Sequence, residues 1–135
     1  EHPNNRFIAD FIGETNMMTA TVSTVDGLQV VCNLEGGQNL DGLANCEVKA
    51  GTTGVLSLRP ERLSISKTGT TNDILEGELG DRVYLGTDTQ FIVKLSGDLS
   101  LKVRMQNSFF KGADFKTGDT VFVTIAEGAA RFLVD

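Results

Sequence analysis

From Thr19 onward, the chain alternates. Hydrophobic side chains fall at roughly every second position in TATVSTV, LQVVCNL, GVLSLRP, LEGELGDRVYL, TQFIVKL, LSLKVRM, TVFVTIA and ARFLVD. This is the period-two pattern of half-buried strands. VDGL, EGGQ, KAGTT, KTGTTND, LGTDT, LSGD and KTGD separate them. In such turns Gly supplies positive φ and Asp or Asn bonds its own backbone. Eight short strands with no helical pattern between them predict an all-β, OB-like barrel or sandwich rather than a parallel α/β sheet. The first residues differ. Phe7, Ile8, Phe11 and Ile12 share one face of a short helix, with Asn4 or Asn5 at its start and Gly13 at its stop. That helix is too short to stand alone, so its apolar face is expected to dock on the β region after Gly13.

The strand pattern repeats. VKAGTTGVLSLRPERLSI from Val48 aligns with FKTGDTVFVTIAEGAARF from Phe115, and LQVVCNLEGG resembles TQFIVKLSGD. The offset is about 60 to 67 residues, so the chain reads as two related β units, about 14–72 and 73–135, preceded by the helix at 1–13. Each unit is small for a core of its own, so the two are expected to share one.

One strand is interrupted. In LSLRPERLSI, Leu56 to Ile65, the alternation stops at Arg59, Pro60 and Glu61. Pro60 cannot donate to a ladder, so the strand ends there or lies at an edge. Arg59 is held extended by the Pro that follows it. Glu61 is placed to pair with Arg59 or Arg62, a surface pair worth about 0–1 kcal/mol. The triplet reads as a fixed corner between strands.

Composition narrows the function. The 135 residues carry 12 Lys and Arg against 18 Asp and Glu, a net charge of −6, with the cations scattered. A nucleic-acid groove needs a basic stripe, so no nucleic acid is expected as a partner. The two cysteines, Cys32 and Cys46, match no metal or redox spacing, and Cys32 sits in an alternating run as a small core hydrophobe. His2 is the only histidine, so neither a zinc site nor any other metal site is expected, nor a histidine-based nucleophilic triad. Unpaired thiols and the lack of a signal-like or membrane-spanning run suit a cytoplasmic domain.

Little in the chain points to catalysis. There is no GxSxG elbow and no GxxxxGK[ST] loop. Asp81, Asp88, Asp98, Asp114 and Asp119 mostly stand near Gly in turn sequences, where an Asp ordinarily bonds local backbone. Phe109 and Phe110 could stack bases on an OB barrel, but with only Lys111 beside them packing is the better reading. No catalytic or cofactor-binding residue is assigned.

Three ordered motifs carry a resemblance. They are the N-x-F-x-A-x-F-I-G helix ending at Gly13, followed by Asn16; the L-R-P-E segment with Arg59, Pro60 and Glu61; and the run from Glu76 through Tyr84, Leu85 and Gly86 to Thr89. Together they resemble the C-terminal regulatory region, the transport-associated OB domain, of ATP-binding subunits of bacterial ABC importers, over essentially the whole chain. FIGETNMM is most similar to the spermidine/putrescine type, since the Ser-Pro insertion usual before the Asn in sugar importers is absent. The chain does not begin with Met and opens in mid-pattern, which reads as a piece of a longer protein.

The resemblance implies an ATPase domain upstream that would hold ATP and magnesium. It implies no cofactor and no ATP hydrolysis in this chain. It also implies pairing of two subunits through the regulatory regions, permease partners reached through the ATPase domain, a location at the cytoplasmic face of the inner membrane, and a possible small-molecule effector. Gly13, Asn16, Arg59, Pro60, Glu61, Gly86 and Thr89 are the positions carried over as family marks and possible contacts. Two alternatives remain: a tandem molybdate-type oxyanion-binding OB protein, whose usual S-A-R-N segment is missing here, and the regulatory domain of a sugar or iron importer ATPase.

Overall fold

A computed structural model describes residues 15–67, 74–96, 99–109 and 115–134. The predicted helix at 1–13, with Gly13, lies outside these residues, as do Phe110 and the side chain of Phe109.

The regular structure of the described residues is almost entirely strand. In order the strands are β1 (Asn16–Asp26), β2 (Gln29–Leu34), β3 (Asn39–Ala44), β4 (Thr53–Leu58), β5 (Leu63–Ser66), β6 (Ile74–Leu85), β7 (Asp88–Lys94), β8 (Ser100–Gln106), β9 (Thr120–Ile125) and β10 (Arg131–Leu133). Short 3-10 turns cover Pro60–Arg62 and Asn107–Phe109. Two of these strands are not among the eight alternating runs: β3, whose NLDGLA carries Asp and Gly, and β5, the short apolar piece after the corner.

β1, β2, β3, β10 and β4 form a closed barrel, and β5, β9, β6, β7 and β8 form a five-stranded sheet. Strands are therefore traded across the division near residue 72. β5 belongs to the first half of the sequence but pairs with β9, Ser64 opposite Thr124. β10 belongs to the second half but pairs with β4, Arg131 opposite Ser57.

The two exchanges are equivalent, because β4 and β9 stand 67 residues apart, from Thr53 to Thr120. The repeat extends to backbone bonds. Arg62 N–H donates to Arg59 C=O at 3.0 Å, and Ala129 N–H to Ala126 C=O at 3.0 Å. Leu34 N–H donates to Gln38 C=O, and Leu95 N–H, 61 residues on, to Leu99 C=O. β1 is bulged between Val22 and Thr24, and β6 between Leu79 and Arg82. Each bulge is held by a Gly turn. Gly51 N–H donates to Val22 C=O, and Gly118 N–H to Leu79 C=O. Both glycines have positive φ, 95° and 97°, which favours Gly over any side chain.

One core serves both sheets. Met18, Cys32, Leu40, Leu56 and Phe132 from the barrel join Leu75, Phe91, Leu101, Val103 and Val123 from the sheet in one buried cluster. That continuity matches the sequence expectation of a shared core. Gly54 shows how tightly the exchange packs. A Cβ there would lie 2.7 Å from the Phe132 ring and 2.5 Å from Leu133 C=O.

Candidate functional site

Those of the family-mark residues that the structure describes gather at two places, and at the first of them Asn16 holds backbone together. Asn16 opens β1 and is buried. Its Nδ2 donates to Leu58 C=O at 3.1 Å and to Lys102 C=O at 2.9 Å, and its Oδ1 accepts Lys102 N–H at 2.7 Å. One amide thus satisfies three backbone groups and ties the end of β4 to β8. Few other side chains could do so, because the job needs two donors and an acceptor.

β4 stops at Leu58, as the Pro required. Pro60 is buried at the start of a 3-10 turn, and Leu63 N–H donates back to Pro60 C=O. Arg59 and Glu61 lie 3.9 Å apart with both side chains more than half exposed, a pair that contributes little. Arg62 does more. Its carbonyl accepts Ala126 N–H at 3.0 Å and its guanidinium donates to Glu127 C=O at 3.3 Å. The corner is thereby docked on the β9–β10 connection.

Gly86 and Thr89 belong to the second place, the β6–β7 hairpin. Leu85 faces Asp88 across a two-residue turn, and Gly86 has φ 85°. Thr89 is fully buried and its hydroxyl donates to Asn107 Oδ1 at 2.7 Å. Asn107 Nδ2 donates to Gly86 C=O at 2.9 Å and its N–H to Thr87 C=O at 2.8 Å. Beside this lock, Arg104 Nε donates to Asp88 Oδ2 at 2.9 Å. Asp88 thus bonds a cation across strands and accepts the Thr87 hydroxyl at 3.5 Å, with side chains in place of the local backbone that the turn reading expected; Asp119 keeps that reading, accepting Lys116 N–H at 2.9 Å. Asn107 and Arg104 carried no sequence signal. The hairpin tip exposes Val83, Tyr84 and Leu85.

Among the described residues, no group of His, Cys, Asp and Glu is arranged to hold a metal. Cys32 is fully buried, and burial, with the Asp41 carboxylate adding to it, pushes its thiol up to about 11. It stays protonated at neutral pH and is no nucleophile.

A cleft lies elsewhere, on the barrel side of the β9–β10 turn. It has a volume of about 810 Å³, between the β1–β2 hairpin, β3 and the β9–β10 turn. Its walls mix the apolar side chains of Val25, Val31, Leu43 and Ile125 with the polar ones of Thr24, Gln29 and Thr124. Its ionisable lining residues are Asp26, Asp41 and Glu127, with no Lys or Arg among them. The sequence placed Asp26 in a turn and gave no sign that these three acids meet. The β9–β10 turn is fixed from outside by Arg62 and by Arg131, which donates to Gly128 C=O at 3.3 Å. Such a cleft suits a ligand with a hydrocarbon body and separated positive charges.

A second, smaller groove of about 360 Å³ runs over the corner and β8, lined by Arg62, Leu63, Ser64, Arg104 and Met105 among others. No helix among the described residues is long and apolar enough to cross a membrane.

The comparisons with known proteins agree with this architecture. The chain is 38% identical over its full length to "Spermidine/putrescine import ATP-binding protein PotA" of Roseobacter denitrificans, covering 38% of that protein. It is 37% identical over its full length to PotA 1 of Pseudomonas aeruginosa, covering 36% of it. The chain thus spans little more than a third of the length of these relatives. Among solved structures, the cytoplasmic molybdate-binding protein ModG with molybdate bound superimposes with a TM-score of 0.79 at 17% identity, over 89% of this chain and 96% of that one. That likeness is one of fold. The TOBE domain family matches residues 56–133, from the strand that meets the corner through the exchanged last strand, and the chain belongs to that family.

Proposed function

We propose that this chain is the regulatory domain of the ATP-binding subunit of a bacterial polyamine importer, and that its acidic cleft senses a polycationic substrate. The full-length similarity to spermidine/putrescine import ATP-binding proteins supports the first part. The observation that carries the second is the cleft itself: three carboxylate residues and four apolar side chains in one lining, with no Lys or Arg among the lining residues. A polyamine offers methylenes to Val25, Val31, Leu43 and Ile125, and ammonium groups to Asp26, Asp41 and Glu127. An anion such as molybdate would meet three acidic residues and no cation in the lining itself, which disfavours the oxyanion-binding alternative.

In this reading the domain performs no ATP chemistry. It sits at the cytoplasmic face of the membrane, pairs with a second subunit and reports substrate level to ATPase domains that work with the permease. The buried tie at Asn16 joins the barrel to the sheet, so that a change in one reaches the other.

Isothermal calorimetry with spermidine tests the cleft. Binding should weaken steeply as salt rises from about 0.05 to 0.5 M, because exposed ion pairs are screened, and Asp41→Asn should weaken it further. Binding that ignores both salt and this substitution would overturn the cleft assignment, and tight molybdate binding would overturn the importer reading.

A further inference from the structure

The two halves differ at one seam. In the barrel, β3 and β10 pair in parallel, with Phe132 opposite Ala44. Leu43 N–H donates to Ala130 C=O at 2.9 Å and Asn45 N–H to Phe132 C=O at 3.1 Å. The equivalent strands of the other half are β8 and β5. They are neighbours, yet among the described residues they form no ladder. The position equivalent to Ala44, 61 residues on, is Met105. Ile65 N–H donates to its sulfur at 3.4 Å. A thioether is a weak acceptor, so a strand edge here ends on sulfur where its counterpart is paired with backbone. Met105 is 8% exposed and lines the smaller surface groove. Met18, by contrast, is 3% exposed and appears in neither of the two grooves described above.

We propose that Met105 is a site of reversible oxidation by hydrogen peroxide, and that the β5–β8 seam responds to it. The sulfur lone pair attacks one peroxide oxygen and the O–O bond breaks. An S–O bond forms, and the departing hydroxide takes the remaining proton to leave as water. Sulfur is oxidised by two electrons and peroxide is reduced. The product is polar and larger. Its oxygen becomes the acceptor for Ile65 N–H and wedges β5 from β8, at the point where the Arg59–Arg62 corner packs against β8. The barrel, closed by backbone at the same seam, has no such sulfur.

The test uses the chain with Cys46→Ser and Met17→Leu, which remove the exposed thiol and the half-buried methionine beside Met18. After mild peroxide treatment, peptide mass spectrometry should find the added oxygen on Met105 well before Met18. The melting temperature should fall by roughly 5 °C and recover after methionine sulfoxide reductases act. Met105→Leu, close in volume and expected to fold, should show no peroxide-dependent fall. In the treated chain, Ile65 amide exchange should quicken. Met105 staying unmodified while Met18 oxidises would overturn the proposal. So would an equal fall in Met105→Leu.

Discussion

The closed barrel and the open sheet are built from related sequence, with matching bulges, glycine turns and exchanged strands. They part at a few side chains. In the barrel, Gly54 leaves space that the Phe132 ring fills; in the sheet, the equivalent positions hold Val121 and Ile65. At the seam, Ala44 allows strand pairing where Met105 supplies a side chain instead. The difference teaches that closure depends on paired sizes across the seam. A small residue on one strand lets a partner strand approach, and a large one holds it off.

The largest expected effect tests the exchanged strands. Phe132→Ala should cost about 3–5 kcal/mol and Ile65→Ala about 2–5 kcal/mol by urea unfolding. An equal, small loss in both would show that the exchange is not what holds the halves together. Next is the size pairing. Gly54→Val should cost about 1–3 kcal/mol or more through overpacking, and adding Phe132→Ile should return part of that. A double-mutant cycle with no coupling would break the size pairing.

Asn16→Ala, which strands buried backbone groups on both sheets, should cost about 1–3 kcal/mol. Thr89→Val, confined to the hairpin lock, should cost about 1 kcal/mol. Arg59→Ala and Glu61→Ala should each stay within about 0.5 kcal/mol, since their ion pair is long and exposed. A larger loss in either would make the corner a contact site again.

The smallest effect distinguishes the two glycine turns by pH. In the first, Lys49 N–H is capped by the Thr52 hydroxyl. In the second, Lys116 N–H is capped by the Asp119 carboxylate. The hydrogen bond from Lys116 backbone, with Lys67 nearby, holds Asp119 below the ordinary carboxylate value, and partial desolvation opposes this. A depressed folded value means stability present above the unfolded value and lost as pH falls through the folded one. Acid titration below about pH 4 should therefore loosen the second turn in the native chain, and Asp119→Thr should remove that component, as read by amide exchange at Gly118.

Much of this was legible before the structure. Alternation alone marks eight of the strands, because a half-buried strand must place hydrophobes at every second position. β3 escaped because Asp41 and Gly42 break that pattern. At Gly42 a Cβ would lie 3.1 Å from the Leu56 side chain, a close approach the linear sequence does not display. The corner at Pro60 was legible because a missing N–H is a local property. Asn16 stood out as a motif residue, but its role needed Lys102, 86 residues away. The acidic cleft was invisible for the same reason, since Asp26, Asp41 and Glu127 come from three separate segments.

By itself the sequence determined most of the strands, the stop at Pro60 and the repeat, all of which arise from local chemistry and spacing. Only the tertiary structure decided that each half lends its last strand to the other, that one seam closes while the other ends on sulfur, and that three scattered carboxylates face one cleft. Those outcomes rest on which side chains meet across distant strands, and their sizes and charges act only once the chain has brought them together.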